Sequence, residues 1–551
     1  MSRPWWKDAV IYQIYIRSFQ DSNGDGIGDI GGITSRADYL KTLGIDAIWL
    51  TPFLDSPNVD NGYDVRDYYS ILTDFGTMDD WKAMLAAMHS RGIRVIMDMV
   101  VNHTSDQHRW FRESLDKASP YRKFYYWRQG KALEPPNNWT SFFSEPAWTR
   151  PAGSDEYYLH LFARQQPDLN WSEPEVRQAV ADIMTFWLEQ GVDGFRLDVI
   201  GLIGKEKGLP DGRTSGSLDM VGPEHYANRP AAHAYLRDIR ARLDGAYSQR
   251  VYIGETTYAT TEDAFCYTCG EPELDMILHS EWMEVDSEGD KWNPIPFSVQ
   301  RLKQAVVKWQ TACDGQLWNC VFLGNHDKPR MLSRFGCDGA NRQKSAKLLA
   351  LLLLSLRGTP IIYQGDELGM TNADYTHIEQ FDDVETHNFW RQAIEELQRD
   401  PNEVMKTIRH MSRDNARTPM QWADAPNAGF TSGKPWLGVN SNYHTINAAA
   451  AMRDPQSVYT FYTQLLSLRR HNEALRKGAF RELTISECPN VFSYLRFTAR
   501  QTLWVVLNWG DQPVEGIHPP QGHGFRPLLS NEGMPIPSAL EPWEATLWAV
   551  E

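Results

Sequence analysis

Arg94–His103 reads RVIMDMVVNH, an apolar, β-favouring run that closes on polar residues. Seven further runs share its character: Val10–Phe19 (VIYQIYIRSF), Asp46–Pro52 (DAIWLTP), Gly194–Asp198 (GFRLD), Val251–Glu255 (VYIGE), Leu274–His279 (LDMILH), Trp318–Asp327 (WNCVFLGNHD) and Pro360–Gln364 (PIIYQ). Near-continuous apolar character marks strands buried on both faces, hence a parallel sheet covered by helices. Helical patterns fit between them, around Tyr39–Leu43 and over Val176–Gln190 and Ala346–Leu356. Eight β-then-α units predict an α/β fold, a (β/α)8 TIM barrel.

Two segments break the alternation. Residues 104–172 form a long, aromatic, Pro-rich insert after the third strand, without regular pattern; inserts of that size are usually lids or subdomains. After about His471, Phe492–Arg496, Thr502–Leu507 and Ala545–Val550 read as short strands separated by turn residues. The expected division is a barrel over 1–103 and 173–475, an inserted subdomain over 104–172, and an all-β C-terminal domain, a β-sandwich, over 476–551.

The 551 residues carry 55 Lys+Arg against 71 Asp+Glu, a net charge of −16, with 12% aromatic residues. That balance argues against nucleic acid, whose phosphates need basic patches, and against an anionic membrane surface. The N-terminus lacks an apolar signal core, and Leu348–Leu356, between Lys347 and Arg357, is too short to cross a bilayer. Of six cysteines, Cys266 and Cys269 form a CxxC with no second pair for zinc, so reduced thiols in a cytoplasmic protein are expected. A monomer is expected.

Three acids end predicted barrel strands: Asp198, Glu255 and Asp327. The C-terminal strand ends of such a barrel face the active site, so these three converge. Glycosidic hydrolysis needs such a set. One carboxylate attacks the anomeric carbon, and a second, of raised pKa, protonates the leaving oxygen. A third grips sugar hydroxyls more tightly in the transition state. A single strand-end acid would read better as a salt bridge or helix cap; three, with His103 and His326 nearby, do not.

The segments Asp98–His103 (DMVVNH), Gly194–Asp198 (GFRLD), Gly254–Glu255 (GE) and Asn325–Asp327 (NHD) resemble the four sequence regions of the α-amylase family of glycoside hydrolases. The resemblance runs from Trp5 to the C-terminus. It implies Asp198 as nucleophile, Glu255 as general acid/base and Asp327 as transition-state stabiliser. His103 and His326 would bond hydroxyls of the glycone. Arg196, two residues before the nucleophile and so on the same strand face, would keep Asp198 ionised. The family is retaining, which requires the two catalytic carboxyls roughly 5–5.5 Å apart.

Further segments resemble the oligosaccharide-cleaving α-glucosidase branch. Asp60–Asp64 (DNGYD) and Arg413–Trp422 (RDNARTPMQW) supply Asp60, Tyr63 and Arg413. In that branch the aspartate and arginine pair to clamp the non-reducing glucose and close the pocket, giving exo-action on short substrates. Tyr63 would stack under the sugar ring. Gln165–Asn170 (QQPDLN), with Gln166 assigned to substrate binding, marks the same branch. Phe143 and Phe162 read equally as walls of the site and as core. Val199, after the nucleophile, is the residue of α-1,6-cleaving members, where α-1,4-cleaving members carry Thr.

Asp21–Asp29 reads DSNGDGIGD. Asp21, Asn23 and Asp25 alternate like a calcium loop, Ile27 offers a carbonyl and Asp29 another carboxylate. The twelfth position is Gly32 rather than Glu, so this is not an EF-hand. It resembles the calcium loop after the first strand in this branch. A structural Ca²⁺ is expected, with Mg²⁺ as the alternative occupant and a metal-free loop of Asx turns as the competing reading.

Together these readings predict a hydrolase of α-glucosides such as isomaltose, isomaltulose or trehalulose. The departure Trp282–Asp286 (WMEVD), with Glu284 where oligo-1,6-glucosidases carry lysine, disfavours long isomalto-oligosaccharides. Trehalose-6-phosphate hydrolases need cations around the phosphate; here Glu284, Asp286, Glu288 and Asp290 are opposed by Lys291 alone. Sucrose isomerases resemble the chain too, but their aromatic clamp corresponds to Thr256 and Ser280. A non-catalytic binding subunit of this fold would lack the three acids and carry a membrane span.

Overall fold

The computed structural model describes residues 3–551 apart from 132–133, 144, 215–219, 248, 272, 486–487, 518–523, 534 and 537. Eight parallel strands form one sheet: β1 (Ile11–Ile14), β2 (Ala47–Leu50), β3 (Arg94–Met99), β4 (Gly194–Leu197), β5 (Val251–Glu255), β6 (Met276–Leu278), β7 (Cys320–Val321) and β8 (Thr359–Tyr363). Their order is β6-β5-β4-β3-β2-β1-β8-β7. Register is continuous: Ile11 faces both Ala47 and Ile361, Ala47 faces Arg94, Ile96 faces Gly194, and Gly194 faces Val251. Between β6 and β7, Met276 Sδ lies 4.0 Å from Cys320 Sγ, so side chains close the ring where no ladder does. This is the expected TIM barrel. All eight strands are buried at every position but Arg94 and Glu255, the double-sided burial that the apolar runs predict.

Helices cover the outside. Pro174–Glu189 starts with Pro at its first position, where the missing N–H costs nothing, and buries Val176, Val180, Ile183, Met184 and Trp187. Arg342–Ser355 contains most of the longest apolar run and buries Leu348 through Leu354 without a polar face. A helix apolar all round lies inside a protein or a membrane. This one lies inside: Ser355 Oγ meets the Tyr494 hydroxyl of the C-terminal domain at 2.6 Å, and Arg469 Nη1 donates to Leu354 O at 2.8 Å. Among the described residues no helix is long and apolar enough to cross a membrane.

Residues 104–172 depart from the expectation of an insert without regular pattern. Glu156–Leu159 pairs antiparallel with both Trp127–Gln129 and Trp148–Thr149, and Arg109–Ser114 is helical. These strands are two to four residues long, too short for periodicity to register. A buried ion pair ties the insert down: Lys205 Nζ lies 2.5 Å from Asp168 Oδ2 and donates to Asn102 Oδ1 at 3.0 Å.

The C-terminal region is all-β. Ala479–Glu482, Val491–Phe497, Thr502–Asn508, Ala545–Val550 and Phe525–Ser530 form a five-stranded antiparallel sheet, with Val514–Glu515 and Ala539–Leu540 as a second pair. Alternation divides its faces. Phe492, Tyr494, Leu503 and Val505 join the barrel core, while Val491, Leu495, Trp504 and Trp548 pack with Ile517 and Leu540.

Candidate active site

The C-terminal strand ends open into a cavity of about 610 Å³ lined by Asp60, Tyr63, His103, Phe162, Arg196, Asp198, Val199, Glu255, Asp327 and Arg413. Nine of these ten come from segments on different strands and loops of one barrel end, brought together by the fold; Phe162 comes from the insert. Gln166 and His326 sit behind them, fully buried.

Arg196, on β4, is the hub. Its Nη1 lies 2.5 Å from Asp198 Oδ1 and 2.8 Å from Asp98 Oδ1, and its Nη2 lies 2.6 Å from Glu255 Oε2. One guanidinium thus serves three carboxyls. Burial pushes the Asp98 carboxyl up to about 6 against the pull of Arg196. Burial likewise raises Asp198, with Glu255 and Asp98 adding to the shift and Arg196 opposing it. The guanidinium therefore does not by itself hold Asp198 in the ordinary carboxylate range, as its position on the strand suggested. Two neighbouring negative carboxyls and the loss of water outweigh one shared cation.

Glu255 ends β5 after Gly254. A Cβ at Gly254 would stand 2.4 Å from Leu274 Cδ1, so any larger residue there would have to displace the Leu274 side chain. Val199, directly after Asp198, has φ 36° and ψ 36°, and its N–H donates to Glu255 Oε2 at 3.1 Å. A β-branched residue in the left-handed region costs about 1–3 kcal/mol and persists only where the surroundings enforce it.

Two guanidinium groups and an imidazole surround Asp327. Arg413 Nη1 and Arg417 Nη2 reach its Oδ1 at 3.2 and 3.1 Å, and His326 Nε2 reaches Oδ2 at 3.0 Å. Burial alone would raise this carboxyl, but His326, Arg413 and Arg417 hold it well below the usual range. Burial pulls His326 down to about 3, so the ring is neutral. Gln13 Nε2 donates to its Nδ1 at 2.8 Å, which leaves the proton on Nε2, facing the Tyr63 hydroxyl at 2.5 Å. That hydroxyl donates onward to Asp98 Oδ2 at 3.0 Å, and the Tyr63 ring stacks on His326.

At the far end, Arg413 Nη2 lies 3.2 Å from Asp60 Oδ1. Gln166 Nε2 donates to Asp60 Oδ2 at 3.2 Å and to Tyr63 O at 3.1 Å. His103 faces the same Tyr63 carbonyl through Nε2 at 3.0 Å, and burial keeps its ring neutral. Phe162 stacks on Phe142 and meets Phe143 edge-on. Both lie in the wall of the cavity, which decides between wall and core for Phe143 and Phe162.

The family pattern described as "Alpha amylase, catalytic domain" matches residues 13–478. The chain belongs to the α-amylase family of glycoside hydrolases. An oligo-1,6-glucosidase of Parageobacillus thermoglucosidasius is 47% identical, with both chains covered completely. A trehalose-6-phosphate hydrolase of Escherichia coli K12 is 42% identical over 99% of this chain and 98% of its own. Among solved structures, the trehalulose synthase MutB from Pseudomonas mesoacidophila MX-45 superposes with a TM-score of 0.94 at 40% identity, covering both chains completely.

Several residues of this glycoside hydrolase's site carry no motif signal. Asp98 lies inside DMVVNH without an assigned role, and Arg417 follows Arg413 by four positions in RDNARTPMQW. Asp383 and Glu385 lie in FDDVETHNF, which has no pattern, yet both hold Arg413: Nε is 3.0 Å from Asp383 Oδ1 and 3.3 Å from Glu385 Oε2. Asp383 also caps the helix Val384–Arg391 by accepting from Thr386 N. Trp49 Nε1 donates to Asp98 Oδ2 at 3.3 Å.

The acidic stretch after β6 does not all face the sugar. Glu284 and Asp290 line the cavity, but so do Lys291 and Lys328. Asp286 turns inward to a buried pair with Arg334 at 2.5 Å. Thr256 is buried outside the lining, whereas Phe142 and an exposed Tyr258 stack at 6.2 Å beside the cavity. The cavity wall is therefore less acidic and more aromatic than residues 256 and 284–290 suggested.

In the loop after β1, Asp21 Oδ1 accepts from Asn23 N and Gly24 N, and Oδ2 from Gly26 N and the Thr431 hydroxyl. Asn23 Oδ1 accepts from Asp25 N and Asp25 Oδ1 from Ile27 N, a ladder of Asx turns. Asp29 caps the helix Ile30–Ser35 through Gly32 N. Among the described residues no three His, Cys, Asp or Glu side chains converge into a cluster that would hold a metal ion.

Proposed function

We propose that this enzyme is a retaining, exo-acting α-glucosidase that hydrolyses disaccharides and short oligosaccharides of the isomaltose, isomaltulose or trehalulose type. The observation that carries the reading is the Asp60–Arg413 pair, 3.2 Å apart in the same cavity as Asp198, Glu255 and Asp327. An ion pair across the end of the cavity suits one terminal glucose and excludes a continuing chain.

In the proposed reaction the Asp198 carboxylate attacks the anomeric carbon while Glu255 gives its proton to the departing glycosidic oxygen. A glucosyl ester on Asp198 results. Glu255, now ionised, takes a proton from water, which attacks the same carbon and releases glucose and Asp198. Asp327, Arg413 and Asp60 hold glucose hydroxyls, and contacts that tighten at the oxocarbenium-like transition state speed both steps. His103, His326 and Gln166 hold Tyr63 and Asp60 in place. Arg196 favours an ionised Asp198 against the upward pull of burial. Val199, pinned beside Glu255, shapes the aglycone side.

Two relatives' activities define the competing outcomes. The stacked Phe142 and Tyr258 favour holding a released fructose for re-attack, as in a trehalulose synthase. Lys291 and Lys328 at the cavity favour a phosphorylated glucoside. A product assay on sucrose, isomaltulose, trehalulose, isomaltose, maltose and trehalose 6-phosphate tests the proposal. Glucose release from the isomaltose-type substrates is expected. Isomaltulose or trehalulose accumulating from sucrose, or preferential cleavage of the phosphorylated sugar, overturns it. The Asp198→Asn variant should retain the fold and lose turnover of a nitrophenyl α-glucoside.

A structural Ca²⁺ in the loop after β1 belongs to the same proposal. Its support is the run of hard-oxygen donors that the sequence offers in Asp21, Asn23, Asp25, Ile27 and Asp29. A monomer in a reducing, cytoplasmic compartment completes the reading, in keeping with the free thiols of Cys266 and Cys269.

A further inference from the structure

The opposite end of the barrel holds a second cavity, of about 270 Å³, lined by Trp5, Asp8, Val10, Asp46 and four arginines: Arg94, Arg469, Arg470 and Arg476. Val10 and Asp46 immediately precede β1 and β2, and Arg94 starts β3. The cavity therefore lies at the N-terminal strand ends, away from every catalytic carboxyl. Four arginines and two aspartates line it, in a protein whose net charge is −16.

The protein's own groups do not use up these cations. Arg470 Nη2 pairs with Asp46 Oδ1 at 3.2 Å, and Arg94 Nη1 pairs with Asp193 Oδ1 at 3.1 Å. Arg476 Nη1 stands 3.8 Å from Asp8 Oδ1, which Arg3 approaches more closely at 3.2 Å. Arg469 is 1% exposed and gives its terminal nitrogens to the carbonyls of Leu354, Leu475 and Gly358. The buried Nε atoms of Arg469 and Arg476 meet no hydrogen-bond acceptor among the described residues. A buried N–H without an acceptor costs about 1–3 kcal/mol. The helix Val458–His471 ends on Arg469, Arg470 and His471, which suits its C-terminal dipole. That accounts for cations at the helix end, but not for a cavity beneath them or for unmatched Nε atoms.

We propose that this cavity binds a small phosphate-bearing anion. Guanidinium forks match the tetrahedral oxygens of a phosphate dianion. The cavity volume, below that of most drug-sized ligand sites, restricts the ligand to free phosphate or a small phosphate ester. The rings of Trp5, over which Arg94 stacks at 4.6 Å, form the apolar wall that the carbon skeleton of an ester would meet.

Isothermal titration of the full-length enzyme tests this, with the catalytic cavity saturated by deoxynojirimycin. Inorganic phosphate and glucose 6-phosphate are titrated separately. Saturable binding of at least one of them, one per chain, is expected, and the tighter of the two identifies the source of the phosphate group. The double variant Arg470→Gln, Arg476→Gln changes two partly exposed side chains outside the catalytic cavity and should keep its unliganded glucosidase activity. Its affinity for the anion should fall by about tenfold or more, as for loss of a charge-assisted hydrogen bond. No saturable binding to the native enzyme overturns the proposal, as does binding of unchanged affinity in the double variant.

Discussion

Arg413 Nη2 and Asp60 Oδ1 stand 3.2 Å apart, although 353 positions separate them in the chain. The arginine is held from behind as well: its Nε lies 3.0 Å from Asp383 Oδ1, and its Nη1 reaches Asp327 Oδ1 at 3.2 Å. Asp383, Asp60, Glu385 and Asp327 together overcome the cost of burying the guanidinium and raise its pKa well above the ordinary value. A permanently charged, rigidly placed fork is what a clamp on sugar hydroxyls requires.

Replacing that fork by a point charge should therefore cost transition-state binding. For Arg413→Lys, kcat/KM on isomaltose is expected to fall about 10–100-fold, the equivalent of one or two hydrogen bonds to a charged group. Steady-state kinetics on isomaltose checks this. Unchanged kcat/KM would remove the arginine from the proposed clamp.

Asp383 is buried, touches Arg413 and Arg417, and is held far below the ordinary carboxylate range despite its burial, chiefly by Arg413. Asp383→Asn leaves two buried guanidinium groups short of a counter-charge, so unfolding free energy should drop by about 3–5 kcal/mol. The same depression sets a pH dependence. Asp383 and Asp327 ionise more readily folded than unfolded, so their contribution is complete above about pH 4 and is lost as pH falls further. Urea denaturation at pH 7 and pH 2 measures both effects; in Asp383→Asn the acid-dependent loss should be smaller.

Arg196 opposes the upward pull of burial on Asp198. As the proposed nucleophile, Asp198 works only when ionised, so activity is expected to fall as pH drops through its titration. Arg196→Gln removes the opposing cation and should move the acid limb of kcat/KM to higher pH, besides lowering the maximum. A pH–rate profile decides: an acid limb that stays where it was would mean that Arg196 does not govern the charge on Asp198.

Val199→Thr keeps the β-branch in its left-handed position while adding a hydroxyl beside Glu255. The ratio of maltose to isomaltose cleavage is expected to rise several-fold, about 1 kcal/mol of difference between the two linkages. Competition kinetics with both sugars measures the ratio; a fall would reverse the proposed role of this residue.

Calcium added to chelator-treated enzyme should raise its Tm in a saturable way, and chelation should lower it, because an ion bound only to the folded loop stabilises it by mass action. Asp25→Ala should abolish the response. Scanning calorimetry with metal content measured in parallel tests this, and a Tm indifferent to verified metal loss speaks against a structural ion.

The barrel is legible in the amino-acid sequence, because each strand and helix advertises its burial through local apolar spacing. Asp198 and Glu255 are legible too, since a strand end in this fold has only one side of the molecule to face. The regular part of β7 is two residues long, and the strands of residues 104–172 are no longer than four; such lengths carry no period, so only hydrogen-bonded pairing defines them. Distance along the chain hides the rest. Asp383 behind Arg413, Asp286 turned toward Arg334, and four arginines around one cavity at the barrel's other end are choices of packing. Charge content in a sequence tells how many acids and bases there are. Which of them meet, and how much water they keep, depends on contacts between segments hundreds of residues apart, and those contacts set both the proton affinities of the buried carboxyls and the geometry of the Asp60–Arg413 pair.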